Sequence, residues 1–378
     1  MFPNMPLWAK LLLAAAAAFG LCFLMTPPVK RFAELVGAVD QPNERRVNKV
    51  PIPRMGGLAI FLGFVVTVLI FVDLSTQVTG ILLGAVIIAV MGAVDDIVSL
   101  NAWIKFALQI VAAGVAIRCG VVFDAISNPN FLSFETTLPI GALSVPLTLL
   151  WIVACTNAVN LIDGLDGLAV GVSAISSVTM LVVSLIVSEP TVSLMLAALS
   201  GACLGFMPYN LNPAKIFMGD VGSQMLGYVL ATVSTLGLFK FHAIITFFVP
   251  LMALALPLAD TTFAFVRRIS RGQSPFHADR GHLHHRLLDM GMSQKQVVAL
   301  MYGISAVLGL TALLLTGKDP VLRIACLVFA FAISITVWFF VFHRNSKLHR
   351  PGQSEKGPES APAEGAAAEV AAPEEKKG

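Results

Sequence analysis

A chain of 378 residues that is 57% hydrophobic, only 12% charged and has a mean hydropathy of +0.83 is not a water-soluble domain. Its formal charge of +3 is too small to point to nucleic acid, and its five cysteines sit in or beside apolar runs with no CxxC pair, which argues against a disulfide framework or a thiolate metal site. What remains is an all-α polytopic membrane protein, because lipid leaves few other ways to satisfy a backbone.

The first apolar run, 7–26, carries Trp8 near its outer end and Lys10 as its early cation, and is followed by Lys30, Arg31, Arg45, Arg46, Lys49 and Arg54. That asymmetry predicts a permanent span rather than a cleaved signal, with the N-terminus outside and 27–54 in the cytoplasm. Further spans are expected at 55–72, 79–95, 102–121, 144–160, 168–187, 191–208, 220–238, 243–266, 295–316 and 320–342. This makes about eleven transmembrane helices, each near the roughly 20 residues a crossing needs. The connection 122–143, rich in Pro, Asn and alternating Phe/Leu, reads as a small hairpin. Arg344, Lys347 and Arg350 again mark the cytoplasmic side. The chain therefore divides into a transmembrane domain, 1–343, and a cytoplasmic tail, 344–378, whose Pro, Ala, Glu, Gly and Lys leave almost nothing to bury and predict disorder.

With this alternation the unusual polar residues all fall on the cytoplasmic face. The central stretch is Asn157-Ala-Val-Asn-Leu-Ile-Asp-Gly-Leu-Asp-Gly-Leu-Ala169, between two runs of membrane length. An aspartate at the centre of a spanning helix costs about 2.5–3.5 kcal/mol on insertion scales, so Asp163 and Asp166 belong at a water boundary. The polar positions 157, 160, 163 and 166 cannot share one face of a regular helix. Gly164 and Gly167 let the helix end unwind and turn the carboxylates together. A polar loop is the plain reading, and a site for a cation and phosphate is the sharper one.

Asp95 and Asp96 end the third run. Adjacent carboxylates repel, and they persist most easily beside a divalent cation or a group that accepts a proton, with Lys105 as a candidate partner; a solvated helix end is the alternative. In Phe217-Met-Gly-Asp-Val-Gly-Ser223, Asp220 begins a span, where free N–H groups favour phosphate and a carboxylate can hold Mg²⁺. Phe217 is a candidate base-stacking ring, although a single Phe more often packs. Lys49 and Arg54, in a proline-stiffened loop ending in Gly56-Gly57, offer positive charge to a phosphate, or serve only as an orientation signal. His277-Ala-Asp-Arg-Gly-His-Leu-His-His-Arg286 lacks a zinc pattern, and beside Arg280 and Arg286 its histidines read as donors to a diphosphate. Asp260 pairs with Arg267 or Arg268, or has a functional role.

Taken together, Asp95-Asp96, the 157–169 stretch, Phe217–Ser223 and Gly281-His-Leu-His-His285 resemble the polyprenyl-phosphate N-acetylhexosamine-1-phosphate transferases, in order, from about residue 26 to 300. The resemblance implies transfer of a sugar-1-phosphate from a UDP-sugar to undecaprenyl phosphate, release of UMP, Mg²⁺ (with Mn²⁺ as a substitute) and an early step of cell-envelope polysaccharide synthesis at the inner membrane. Pro257-Leu-Ala-Asp-Thr-Thr-Phe263, Arg267-Arg268 and His-Leu-His-His-Arg-Leu-Leu resemble the branch that uses UDP-GlcNAc. The phospho-MurNAc-pentapeptide branch has three consecutive histidines there and a Thr where Arg54 stands. Another UDP-HexNAc or UDP-MurNAc-pentapeptide is the nearest alternative donor.

The catalytic candidates are Asp95, Asp96, Asp163 and Asp166, with Asp95 accepting a proton from the lipid phosphate or orienting it. Lys49, Asn160, Asn210, Phe217, Arg280, His282, His284 and His285 are the candidate substrate contacts. Asp220, with Asn160 or Asp163 by resemblance, is the expected Mg²⁺ site. Both direct attack and an aspartyl-phosphate route are compatible with these residues. Membrane lipid surrounds the chain, a homodimer is compatible with it, and nucleic acid is not an expected partner. An ion-coupled carrier, the different-class alternative, keeps its site near the midplane, whereas these clusters crowd one face; a receptor or scaffold leaves the set of motifs unexplained.

Overall fold

The computed structural model describes residues 4–41, 50–123, 125–127, 137–139, 141–238, 251–270, 283–316 and 319–338. The helices are α1 (Leu7–Leu35), α2 (Gly57–Phe71), α3 (Thr76–Val98), α4 (Ala102–Arg118), α5 (Ser144–Ile162), α6 (Leu168–Ile186), α7 (Pro190–Asn210) and α8 (Gly219–Val233). They are followed by α9 (Ala255–Ser270), α10 (Leu283–Asp289), α11 (Gln294–Thr316) and α12 (Pro320–Trp338). Among the described residues six helical stretches are long and apolar enough to cross a membrane, and Gly57–Phe71 and Pro320–Thr336 are shorter apolar helices. The protein is a mostly helical, polytopic membrane protein.

Two short ribbons interrupt the helices. β1 (Val39–Asp40) pairs antiparallel with β2 (Ile52–Pro53), which sets Asp40 opposite Ile52. β3 (Ala125–Ser127) pairs antiparallel with β4 (Thr137–Pro139), the hairpin expected in 122–143.

The core is built around α8. Every residue of α8 from Val221 to Val233 is buried, the polar Ser223, Gln224 and Thr232 included, so the helix is enclosed on all sides. It packs against α2, α3, α5 and α6, while α1 lies along α7 and α11 along α6. Small residues set the closest approaches: a side chain on Gly201 or Gly205 of α7 would strike the α1 backbone at Ala15 and Phe19.

Among the described residues the end of the first helix departs most from expectation. The first helix does not stop at 26 but runs through Pro27 and Pro28 to Leu35. Pro27 and Pro28 leave the carbonyls of Phe23 and Leu24 without their helical amide partners, which a helix held among others tolerates, and α1 lies along α2 and α7. The extra turns bring Ala33 and Ala38 against Met55 and carry the chain to β1. The expected tail, 344–378, lies outside the described residues.

Candidate active site

The segments that follow α1, α3, α5 and α7 and lead into α2, α4, α6 and α8 come together at one end of the helices. At that end lies a cavity of about 410 Å³ whose walls include Asp96, Asn160, Asp163, Asp166 and Asp220. Arg54, Phe217 and His285 also face it, as does Asp40.

The N-terminus of α8 is the cavity's fixed point. The Asp96 carboxylate accepts from the amides of Asp220 (3.1 Å) and Val221 (3.4 Å), so the end of α3 caps the start of α8. Gly219 makes this possible. It adopts φ +72°, and a Cβ there would overlap the Asp96 carboxylate. The segment 53–57, which leads from β2 into α2, docks beside it: Phe217 N donates to Pro53 O (2.8 Å), Gly56 N to Phe217 O (2.9 Å) and Gly57 N to Met218 O (2.8 Å). A side chain on Gly57 would run into the Gly222 backbone, which accounts for the paired glycines at the start of α2.

Charge is distributed unevenly over the adjacent pair on α3. Asp95 Oδ2 takes the Lys105 ammonium at 3.1 Å and its Oδ1 accepts from Leu100 N at 2.6 Å. Lys105 reaches Asp220 Oδ2 at 3.1 Å as well, and so bridges α3 and α8. Arg54 donates from Nε to the Asp96 carbonyl at 3.0 Å and lies 3.7 Å from Asp96 Oδ1.

The turn between α5 and α6 follows the expectation that its glycines unwind the helix end. The α5 helix stops at Ile162, Gly167 takes φ +80°, and Asp163 and Asp166 both face the cavity. Asp163 keeps part of its surface at the cavity yet is ringed by protein. That burial, and then the carboxylates of Asp220, Asp96 and Asp166, push its carboxyl up to about 8. Asp166 Oδ2 accepts from Asn212 Nδ2 (2.9 Å) and Ala214 N (3.1 Å), tying this turn to the segment before α8. Tyr302 of α11 donates its hydroxyl to the Gly167 carbonyl.

The sequence candidates thus separate. Asp96, Asn160, Asp163, Asp166, Asn210, Phe217, Asp220 and His285 surround one cavity. Asp95 does not line it, and its oxygens are occupied by Lys105 and the Leu100 amide. Asn210 lines it, but its amide is spent on the backbone, accepting from Gly167 N (3.1 Å) and donating to Ile216 O (3.0 Å). Asn160 Oδ1 accepts the Ser223 hydroxyl at 2.7 Å. His284 is 1% exposed, packed on Gly164 and beside His285. Asp260, expected beside Arg267 or Arg268, accepts from Leu283 N at 2.7 Å and so caps α10; those arginine side chains lie outside the described residues. Lys49, Arg280 and His282 lie outside them too.

Asp40 was missed. It is 5% exposed and reaches the cavity only because β1 pairs with β2, a contact with no local sequence signature. Gln109 and Gln224 were missed despite an available signal, since amides inside apolar helices are rare without a purpose.

Residues 78–238 match the model of glycosyl transferase family 4. The chain is 43% identical over 293 residues to the probable undecaprenyl-phosphate N-acetylglucosaminyl 1-phosphate transferase of Bacillus subtilis (strain 168), covering 77% of this chain and 81% of that protein. It is 37% identical over 322 residues to the decaprenyl-phosphate N-acetylglucosaminephosphotransferase of Mycobacterium tuberculosis (strain ATCC 25618 / H37Rv), covering 78% and 79%. Against the phospho-N-acetylmuramoyl-pentapeptide-transferase of Staphylococcus aureus (strain MW2), identity is 31% over 326 residues, covering 80% and 97%.

Proposed function

The chain belongs to glycosyl transferase family 4, and from that premise we propose that it transfers GlcNAc-1-phosphate from UDP-GlcNAc to undecaprenyl phosphate, releasing UMP. One observation carries the reading. Five carboxylates, Asn160 and Arg54 converge on a single cavity at the N-terminus of the most enclosed helix, where charge of both signs is needed to bring two anionic substrates together. Two of the relatives above are named for GlcNAc-phosphate transfer to a polyprenyl phosphate, at higher identity than the one named for a muramoyl-pentapeptide.

In the reaction an oxygen of the acceptor phosphate attacks the sugar-bearing phosphorus of the donor. The bond from that phosphorus to the UMP oxygen breaks, and UMP leaves with the electron pair. A phosphate monoester has its second pKa near 6, so most of the acceptor is already a dianion at neutral pH and needs orienting more than deprotonating.

The donor set fits Mg²⁺. Among the described residues no three His, Cys, Asp or Glu stand close enough to hold an ion by themselves. Mg²⁺ asks for less: one or two carboxylates, with water and phosphate oxygens completing the octahedron. Asp220 and Asp163, with Asn160 beside them, would hold it, at a point where Asp40, Asp96 and Asp166 also line the cavity. Bound there, the ion would supply positive charge to offset the diphosphate and favour attack on its phosphorus.

The chain's own groups supply the rest. Arg54 and His285 face the cavity as donors to phosphate, joined in this reading by Lys49, Arg280 and His282, and Phe217 offers a ring to the uracil. Asp96 holds the start of α8 in place, while Asp95 anchors the Lys105 ammonium next to Asp220. Asp166 and Asn210 fix the two connecting segments to each other, and His284 seats α10 on Gly164. About eleven spans, with the N-terminus outside and the cavity and tail in the cytoplasm of an inner-membrane protein, would place the site where soluble nucleotide sugars arrive.

The test is UMP release by detergent-purified protein given undecaprenyl phosphate and Mg²⁺. UDP-GlcNAc should be consumed and UDP-glucose refused, because a site that hydrogen-bonds an acetamido group rejects a donor lacking it. Equal use of the two donors would overturn the sugar assignment, preference for UDP-MurNAc-pentapeptide would move the chain to the other branch, and no UMP from any donor would refute the reaction. A cysteine placed after Arg350 that reacts readily with an impermeant thiol reagent in intact cells would reverse the orientation.

A further inference from the structure

Behind Asp220, away from the cavity, runs a chain of side-chain amides crossing three helices. Gln224, one turn along α8 and fully buried, donates from Nε2 to Asp220 Oδ2 at 2.7 Å. Its Oε1 accepts from Gln109 Nε2 of α4 at 2.8 Å. Gln109, 2% exposed, pairs reciprocally with Asn157 of α5: Asn157 Nδ2 donates to Gln109 Oε1 at 2.7 Å, and Gln109 Nε2 to Asn157 Oδ1 at 3.3 Å. Asn157 Nδ2 also donates to the Val153 carbonyl at 2.8 Å. A carbonyl can only accept, so Val153 fixes the orientation of Asn157, then of Gln109, then of Gln224, and each amide delivers its NH₂ toward Asp220.

Such a network is costly among spanning helices, where an apolar core would pack as well. Its effect falls on one atom. Lys105 Nζ also reaches Asp220 Oδ2, at 3.1 Å, so two donors hold that oxygen from behind. Oδ1 is then the oxygen that Asp220 has for the cavity it lines.

We propose that Gln224, backed by Gln109 and Asn157, is a positioning residue that locks the Asp220 carboxylate with Oδ1 turned to the cavity as a ligand for a hard divalent cation. This rests on the reading of Asp220 as a cation ligand. A carboxylate left free to rotate must be ordered at the moment the ion binds, and loss of such outer partners typically weakens metal affinity about 10- to 100-fold.

The experiment titrates Mn²⁺ alone, without either substrate, into the detergent-purified full-length protein and follows the free ion by electron paramagnetic resonance. Gln224→Met keeps the volume and removes the amide. Its affinity for Mn²⁺ should fall at least about 10-fold, and the Mg²⁺ concentration for half-maximal UMP release should rise in step. The KM for UDP-GlcNAc at saturating ion should stay within about twofold of wild type, because no substrate contact is lost. Gln109→Met, which leaves Gln224 but removes its anchor, should weaken Mn²⁺ binding in the same direction by less. That second variant decides the matter if Gln224→Met does not fold. Mn²⁺ affinity within about twofold of wild type in the folded variants, even with a lowered kcat, would mark a packing role and overturn the proposal; so would a wild-type protein that binds no Mn²⁺. Since this arm contains no donor and no lipid, it reads the position of Asp220 even where an absence of UMP release refutes the reaction.

Discussion

At its two ends α3 meets the same requirement, to leave an apolar interior with its backbone groups satisfied, and it meets that requirement with different materials. At the first end exposed neutral groups suffice. Ser75 Oγ accepts from Val78 N at 3.2 Å, the Thr79 hydroxyl donates to Ser75 O at 2.9 Å, and Gln77 Nε2 donates to Gly120 O at 2.9 Å. At the other end Asp95 and Asp96, 7% and 2% exposed, meet Lys105, Arg54 and the amides of α8. Buried ion pairs repay their desolvation poorly, so stability alone does not account for the second solution. In the proposed function, the difference separates an end that stops a helix from an end that would hold anions and a cation.

The sharpest way to break this contrast is Asp220→Asn. It leaves an amide of the same shape but removes a negative oxygen, and turnover should fall more than about 100-fold while the thermal melt stays cooperative. Near-wild-type turnover at limiting Mg²⁺ would remove the reason for the charged end.

Gly219→Ala comes next. Its left-handed backbone alone costs a non-glycine residue about 1–2 kcal/mol, and the new Cβ must also displace the Asp96 carboxylate. Both melting temperature and turnover should drop. A loss of turnover with an unchanged melt would instead mean that the N-terminus of α8 tolerates movement.

A smaller effect is expected from pH. The Asp163 carboxyl, raised from 3.8 to about 8, binds a proton more tightly in the folded chain than in the unfolded one. Its stabilising contribution is complete below about pH 4 and is lost as pH rises through about 8. In metal-free protein the melting temperature should therefore decline between about pH 5 and 8, less steeply in Asp163→Asn. Mg²⁺ should flatten the wild-type slope, because a bound cation favours the charged carboxylate that burial and the neighbouring carboxylates disfavour. A slope that is the same in Asp163→Asn would assign the titration to another group.

The smallest effect belongs to the neutral end. Ser75→Ala removes a helix cap worth about 1 kcal/mol and should leave turnover unchanged. A severalfold loss of turnover there would show that the two ends of α3 are coupled.

The sequence by itself determined the apolar spans, because a run of membrane length has few alternatives to a helix, and it determined where charge could gather, because Asp95, Asp96, Asp163, Asp166 and Asp220 have no tolerable place within lipid. It also carried the family, since the motifs stand in order along the chain. Only the tertiary structure decided how the charges divide: that Asp96 faces the cavity while Asp95 is held by Lys105, and that the Asn210 side-chain oxygen accepts from a backbone amide 43 residues away in the chain. It also placed Asp40 in the wall through a two-residue ribbon. The reason is physical. Hydropathy and insertion cost act through the identity of a residue and its near neighbours, whereas the partner of a carboxylate depends on helix rotation and on the close approach that Gly57, Gly92 and Gly219 permit around the start of α8, distances that no local pattern encodes.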